Sequence, residues 1–351
     1  MIHATYKRYI LNFKRPGGTS RGVLHTKETF FIKLQQADRI GWGECGLFRG
    51  LSADDVPDYE EKLQWACDNI QLGLAILLDK LVAFPSIQFG LEQAFLSLEN
   101  TNFFKLFPSD FTNSNQALPI NGLIWMGDKT FMKEQIKEKL KTGFTTIKLK
   151  IGAIDFQTEL NLLKSIRADF SKEDIALRVD ANGAFSPKNA LQKLNELSKY
   201  DLHSIEQPIK ANQWEEMADL CSITPLPIAL DEELIGVFKY KIKKELLEKI
   251  KPQYIILKPS LVGGIRGSNE WIKLAEKQNI DWWITSALES NIGLNAIAQY
   301  TYQLGVKIPQ GLGTGGLFTN NFQSPLQVKE GFLQYNNSLK WDISSLNLLN
   351  F

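Results

Sequence analysis

Cysteine and histidine are scarce in this 351-residue chain, and each scarcity excludes a class of chemistry. The three cysteines, Cys45, Cys67 and Cys221, are odd in number and match no zinc or redox spacing. They read as reduced, mostly buried thiols of a cytoplasmic protein. Of the three histidines, His3, His25 and His203, none lies four residues from another, which argues against a histidine zinc site. An excess of charge is also missing. Forty Lys and Arg face 39 Asp and Glu, for a formal net charge of +1. That balance speaks against nucleic acid or a membrane surface as partner. No stretch approaches the roughly 18 consecutive apolar residues that suggest a transmembrane helix. The first residues mix charges with apolar side chains and lack a cleavage signature, so they do not read as a signal peptide. A dinucleotide-type Gly-x-Gly-x-x-Gly is absent after the first strand, and Gly311-Leu-Gly313-Thr-Gly315 is not followed by a helix-like segment.

What is present suffices for a large core: 44% of residues are hydrophobic and 11% aromatic. Residues 4–13 and 28–36 are rich in β-branched and aromatic side chains, with Pro16-Gly17-Gly18 as a break between them and a third short strand around 41–44. Helical spacing follows over 56–81 and 86–100. Strands and then helices predict a small α+β unit over 1–116. From about 117 to 316 a short apolar strand is followed repeatedly by a helix. Strands are expected at 118–125, 145–150, 175–180, 202–206, 227–231, 254–258, 281–286 and 307–311. Eight strands with connecting helices suggest a parallel barrel; an open doubly wound sheet is the alternative. Residues 317–351 add no such unit. A terminal hairpin of 332–335 with 338–342, turning at Asn336-Asn337, is expected to return to the first unit.

Charges recur where these strands end: Lys148 and Lys150, Asp180, Glu206, Asp231, then Lys258. The steps from Lys150 onward are 30, 26, 25 and 27 residues, each one strand–helix unit long. Any one such charge reads as a rim ion pair. Five strands in step place theirs at the end of a barrel where active sites are built. Asp180, Glu206 and Asp231 offer hard oxygen donors without His or Cys, a set suited to Mg²⁺, with Mn²⁺ also fitting. Lys150 and Lys258 flank them from either side. A lysine beside a divalent cation and a second lysine is expected to have a lowered pKa and to act as a base near neutral pH.

These motifs resemble the enolase superfamily over nearly the whole chain. Lys148-x-Lys150 resembles its second-strand lysine pair. Asp180-Ala-Asn182, Ile205-Glu206-Gln-Pro208 and Asp231-Glu232 resemble its three metal motifs, and Lys258-Pro259 its sixth-strand lysine. The resemblance implies a modified TIM barrel, (β/α)7β, with an α+β capping domain. The absence of a histidine after His203 points to the muconate-lactonizing subgroup. Within it, Thr19-Ser-Arg21-Gly, Gly43-Glu44, Phe48-Arg49-Gly50, Ile120-Asn-Gly and Ser286-Ala-Leu-Glu289-Ser are similar to the dehydratase family of menaquinone biosynthesis. Dipeptide epimerases of the superfamily carry Asp-x-Asp on the eighth strand for the substrate's ammonium. Here the stretch is Gln310-Gly-Leu-Gly313-Thr-Gly-Gly, without an acid.

The resemblance implies a small carboxylate substrate and a syn dehydration of 2-succinyl-6-hydroxy-2,4-cyclohexadiene-1-carboxylate. Lys150 would take the α-proton and return it to the departing hydroxyl, with Lys258 a fixed cation on the opposite face. Asp180, Glu206 and Asp231 would hold Mg²⁺. Lys148 and Glu232 would support the lysines, while Asn182, Ser286 and Arg21 would contact substrate. The cap loops around 19–22 and 48–51 would close over the barrel mouth. An N-succinylamino acid racemase, or a related racemase or cycloisomerase, would need the same lysines and carboxylates. A catalytically silent binding module is the alternative from another class.

Overall fold

The computed structural model describes residues 1–19, 22–114, 116–125 and 129–347. Strands β1 (His3–Thr19), β2 (Gly22–Gln36) and β3 (Arg39–Cys45) form an antiparallel sheet in that order. Pro16-Gly17-Gly18 does not end β1. Pairing runs from His3 opposite Gln35 to Asn12 opposite Thr26, slips, and resumes with Gly17 opposite Leu24. The segment is a bulge inside one long hairpin, a place where a strand tolerates a residue that donates no backbone hydrogen bond.

The helix expected over 56–81 is broken into α1 (Tyr59–Asp68), a single 3₁₀ turn (Ile70–Leu72) and α2 (Leu74–Lys80). Gly73 adopts φ +78°, which a continuing α-helix does not allow. The next helix, α3 (Pro85–Glu99), starts on its proline and is buried along almost its whole length between sheet and barrel. Gly43 explains how close the sheet comes. A Cβ there would stand 1.9 Å from the Gly90 carbonyl oxygen.

After a short capped turn, α4 (Asp110–Asn113), the strand expected over 118–125 splits into β4 (Ala117–Pro119) and β5 (Gly122–Ile124). β5 opens the barrel. It is followed by α5 (Lys129–Lys141), β6 (Thr146–Lys150), α6 (Phe156–Asp169), β7 (Ala176–Asp180), α7 (Pro187–Ser198) and β8 (Leu202–Glu206). Then come α8 (Trp214–Ile223), β9 (Ile228–Leu230), α9 (Tyr240–Ile250), β10 (Tyr254–Leu257), α10 (Pro259–Val262), α11 (Gly264–Glu276), β11 (Asp281–Ile284) and α12 (Asn291–Gln303). The seven strands β5 to β11 pair in parallel in chain order. The eighth strand is reduced to two parallel bridges, Gln310 with Ile120 and Gly311 with Thr285, which close the ring. Gly311 is required at this seam, because a Cβ there would fall 1.7 Å from Thr285 Oγ1.

Outward strand residues such as Leu177, Val179, Ile205 and Leu257 pack against the helices in the main core. Inside the barrel floor a smaller apolar layer holds Ala229, Ile256 and Trp283. The terminal hairpin forms one step earlier than expected. β12 (Leu326–Lys329) pairs with β13 (Phe332–Tyr335) around Glu330-Gly331, and both turn residues have positive φ. That backbone suits the tight hairpin better than Asn336-Asn337. β13 continues onto β4, not onto the first sheet. The return to the N-terminal sheet is made earlier in the segment: Phe318 bridges antiparallel to Phe13, with backbone bonds from Lys14 to Leu317 and from Thr319 to Asn12, and Phe322 and Leu346 share a core with Phe31 and Trp42. Among the described residues no helix is long and apolar enough to cross a membrane.

Candidate active site

Alternation within each barrel strand sends one set of side chains to the helices and the other inward. On β7 this directs Leu177 and Val179 outward and leaves Asp180 at the inner strand end. Register then aligns the chemistry: Lys150, Asp180 and Glu206 stand directly across from one another on β6, β7 and β8. Asp231 follows the last residue of β9, and Lys258 follows β10 and opens α10.

Lys148, Lys150, Asp180 and Lys258 line one cavity of about 240 Å³, and Glu206 and Asp231 join them through bonds to Lys148 and Lys258. Asp180, Glu206 and Asp231 are essentially inaccessible, at 0%, 3% and 2% exposure, and lysines stand among them. Lys148 Nζ donates to Glu206 at 2.5 Å and lies 2.9 Å from Asp180. Lys150 Nζ donates to Asp180 at 2.8 Å and to Asn182 Oδ1 at 2.6 Å. Lys258 pairs with Asp231. Three ammonium groups therefore interleave three carboxylic side chains.

The electrostatics follow from this interleaving. Burial works to raise Asp180, but Lys148 and Lys150 hold its carboxyl well below the usual range. Burial likewise opposes Asp231, and Lys258 and Lys148 hold it down. Glu206 goes the other way: burial, then the charges of Asp180 and Asp231, push it well up against the pull of Lys148 and Lys258. The lowered lysine pKa expected from the sequence presupposed a bound cation. Without one, burial lowers Lys258, and Asp231, Glu206 and Glu232 outweigh it, so its pKa is raised.

The donor set fits a hard divalent cation. Every candidate ligand atom is an oxygen, and Glu206 Oε1 is buried with no hydrogen-bond partner. Among the described residues no three His, Cys, Asp or Glu side chains are gathered as a ready metal shell. The lysine ammoniums separate the carboxylates instead.

Supporting residues divide between those expected and those missed. Asn182, at φ +43°, donates from Nδ2 to Glu232 Oε1 at 2.9 Å while accepting from Lys150. Glu232 thus reaches Lys258 through charge and holds Asn182 by a hydrogen bond. Ser286 lines the cavity, and its hydroxyl lies 2.7 Å from that of Thr314. Arg21 lies outside the described residues, as does Ser20. The 48–51 loop and Leu24 roof the cavity together with Trp125. Gln207 was not singled out by sequence reasoning. Its Oε1 accepts from the backbone N–H of Asp231 and Glu233, at 3.1 and 3.3 Å, which fixes the turn that presents Asp231. The Glu206-Gln-Pro208 tripeptide was the signal that could have found it. The eighth-strand wall is Gly311, Gly313 and Thr314, with no acid to meet an ammonium group.

Comparison with known proteins agrees with this geometry. The family Enolase C-terminal domain-like matches residues 131–338. The o-succinylbenzoate synthase of Desulfotalea psychrophila is 47% identical over 95% of this chain and 98% of its own. The crystal structure of MenC from Desulfotalea psychrophila superposes with TM-score 0.85 at 43% identity, covering 95% of this chain and 99% of that one. A dipeptide epimerase from Enterococcus faecalis, solved with Mg and the dipeptide L-Leu-L-Tyr, shares the fold at TM-score 0.80 and 20% identity, over 95% and 96% of the two chains. The synthase reading stands over the racemase one. The chain belongs to the enolase superfamily and, within it, to the o-succinylbenzoate synthases.

Proposed function

We propose that the synthase reaction, a lyase dehydration in the menaquinone pathway, is carried by Lys150 as the single proton-transfer group and by Lys258 as a fixed cation. One observation carries the reading: Lys150 and Lys258 both line one roofed cavity, each bonded to one of a set of three buried carboxylates. As the free amine, Lys150 takes the proton α to the substrate carboxylate. It then returns that proton to the hydroxyl leaving from the same face. The carbon–oxygen bond breaks, water departs, and the ring becomes aromatic. Lys258 stays protonated and offsets the developing negative charge.

Asp180, Glu206 and Asp231 would hold Mg²⁺, or Mn²⁺, in keeping with the Mg of the epimerase relative. When bound, the ion supplies Lewis-acid charge to the substrate carboxylate. Lys148 spaces Asp180 from Glu206, and Glu232 sets Asn182, which with Ser286 faces the substrate. The 1–116 unit acts as cap, 117–316 as catalytic barrel, and 317–351 ties the two. Arg21 is assigned to substrate contact on the sequence resemblance alone. The buried reduced cysteines suit the cytoplasm.

The test is incubation of the protein and Mg²⁺ with 2-succinyl-6-hydroxy-2,4-cyclohexadiene-1-carboxylate, and separately with an N-succinylamino acid in deuterated water. Rapid appearance of o-succinylbenzoate is expected. Deuterium exchange on the amino acid without any dehydration would overturn the reading in favour of a racemase.

A further inference from the structure

Beyond the cavity floor, one wall is held in a conformation that its residues do not choose. Leu288 has φ +63°, a left-handed backbone that a branched apolar residue rarely adopts. It lies between Ser286 and Glu289 and, with Ser286 and Ala287, lines the cavity. Such strain persists only where surrounding contacts over-determine it, and it collects at functional sites. The contacts here are specific. Glu289 is fully buried; its Oε2 accepts from the Ala287 N–H at 2.7 Å and its Oε1 from Ser260 Oγ at 2.5 Å. The Leu288 N–H donates to Ser286 Oγ at 3.1 Å, so the turn also orients the hydroxyl assigned to substrate.

A second buried carboxylate stands next in line. Glu44, on cap strand β3, accepts from the Ser290 N–H and Oγ and from the Gly293 N–H, and so caps α12 from across the domain junction. Lys27 of β2 is buried too, 6% exposed, with a Nζ that has no hydrogen-bond partner. Its principal electrostatic neighbours are Glu44 and Glu289. Burial lowers the Lys27 pKa, and these carboxylates with Glu28 oppose the shift.

We infer that Glu289 is a positioning residue for the dehydration: it holds the 286–288 wall in its left-handed turn, while Glu44 of the cap holds the adjoining Ser290 and Gly293, so that cap and wall are set as one piece. The role rests on the functional reading above only through Ser286. Glu289 touches no reacting atom and acts through the turn.

The experiment is a double-mutant cycle. Glu289→Gln keeps shape but removes the charge-assisted bonds, and is expected to raise KM about tenfold while lowering kcat less. Mn²⁺ affinity, measured by electron paramagnetic resonance without substrate, is expected to stay unchanged. In a Leu288→Gly background, where the turn needs no holding, the same substitution is expected to change KM only about twofold. An equal effect in both backgrounds would overturn the proposal. Hydrogen exchange of the 285–290 segment is read on the same proteins and requires no substrate. Exchange is expected to quicken in Glu289→Gln, and exchange matching the unmodified protein would overturn the proposal. Faster exchange in a protein that never dehydrates the substrate would instead sink the functional reading alone. Should Glu289→Gln fail to fold, Ser260→Ala removes one donor to the same carboxylate and is expected to act in the same direction, about threefold in KM. An unchanged KM and unchanged exchange in that variant would overturn the proposal.

Discussion

Lys148 and Lys150 stand two residues apart on one strand and differ in what their ammonium groups touch. Lys148 bridges two carboxylates, Asp180 and Glu206, and is committed to them. Lys150 shares Asp180 and leans on the neutral Asn182, which leaves it the freer of the pair to exchange a proton. Lys150→Ala is therefore expected to lose at least the ~10²–10⁴-fold supplied by a general acid–base group, since both proton steps pass through it. Lys258→Arg keeps a cation that cannot give up its proton near neutral pH. It is expected to retain measurable dehydration, and an arginine variant as inactive as Lys150→Ala would refute the one-lysine scheme. Among the acids, Glu206 is the most frustrated, with one unpartnered oxygen and two anionic neighbours. Glu206→Gln is expected to weaken Mn²⁺ binding, read by calorimetry, while raising thermal stability of the metal-free protein, because a neutral amide removes that repulsion.

At the scale of elements, the loop over 48–51 is fastened by side chains outside the cavity. The Gly50 N–H and Arg49 Nη1 both donate to Asp55 at 2.7 Å, and Arg49 Nε donates to Glu28 at 2.6 Å. Asp55 lies beyond the cavity wall, so its loss acts only through the loop. Asp55→Ala is expected to raise KM about three- to tenfold with Mn²⁺ affinity unchanged, because roofing loops act by ordering over bound substrate and excluding water. An unaltered KM would show that the roof does not depend on this fastening. The same scale explains where element boundaries shifted. Helix 56–81 was expected from a continuous apolar rhythm, yet the φ of Gly73 divides it. The sequence places the last hairpin turn at Asn336-Asn337; it falls at Glu330-Gly331, because a two-residue turn there lets β13 extend the pairing onto β4.

At the scale of the whole molecule, the barrel interior below the site carries its own charge. Arg178 stacks on Trp283 at 4.2 Å and donates to the Pro309 carbonyl at 2.9 Å, tying β7 to the reduced eighth strand. His203 leans on Tyr254 and Trp283 nearby. Burial, and then Arg178, push its imidazole down to about 4 from an ordinary 6.5. The native ring is thus neutral where the unfolded one is protonated. Its contribution to stability is complete above pH 6.5 and is lost as pH falls toward 4. It amounts to less than ~3 kcal/mol, since the ring is only half-buried. Denaturant titrations between pH 4 and 6.5 are expected to show a shallower fall in stability for His203→Phe. An identical slope would remove His203 from the acid response.

The sequence by itself determined the alternation of strand and helix, the interval of 25 to 30 residues between strand-end charges, and hence which five strands bring chemistry to one end. These are properties of local period and chain length, which each segment carries without its neighbours. It could not place Gln207 behind Asp231, or Glu289 and Lys27 on either side of the cap–barrel junction. Nor could it show that the eighth strand survives as two bridges and that the lysines interleave the carboxylates. Each of those depends on residues far apart in the chain meeting inside a closed ring. There, burial and charge are shared among groups whose separation in sequence says nothing of their distance in space.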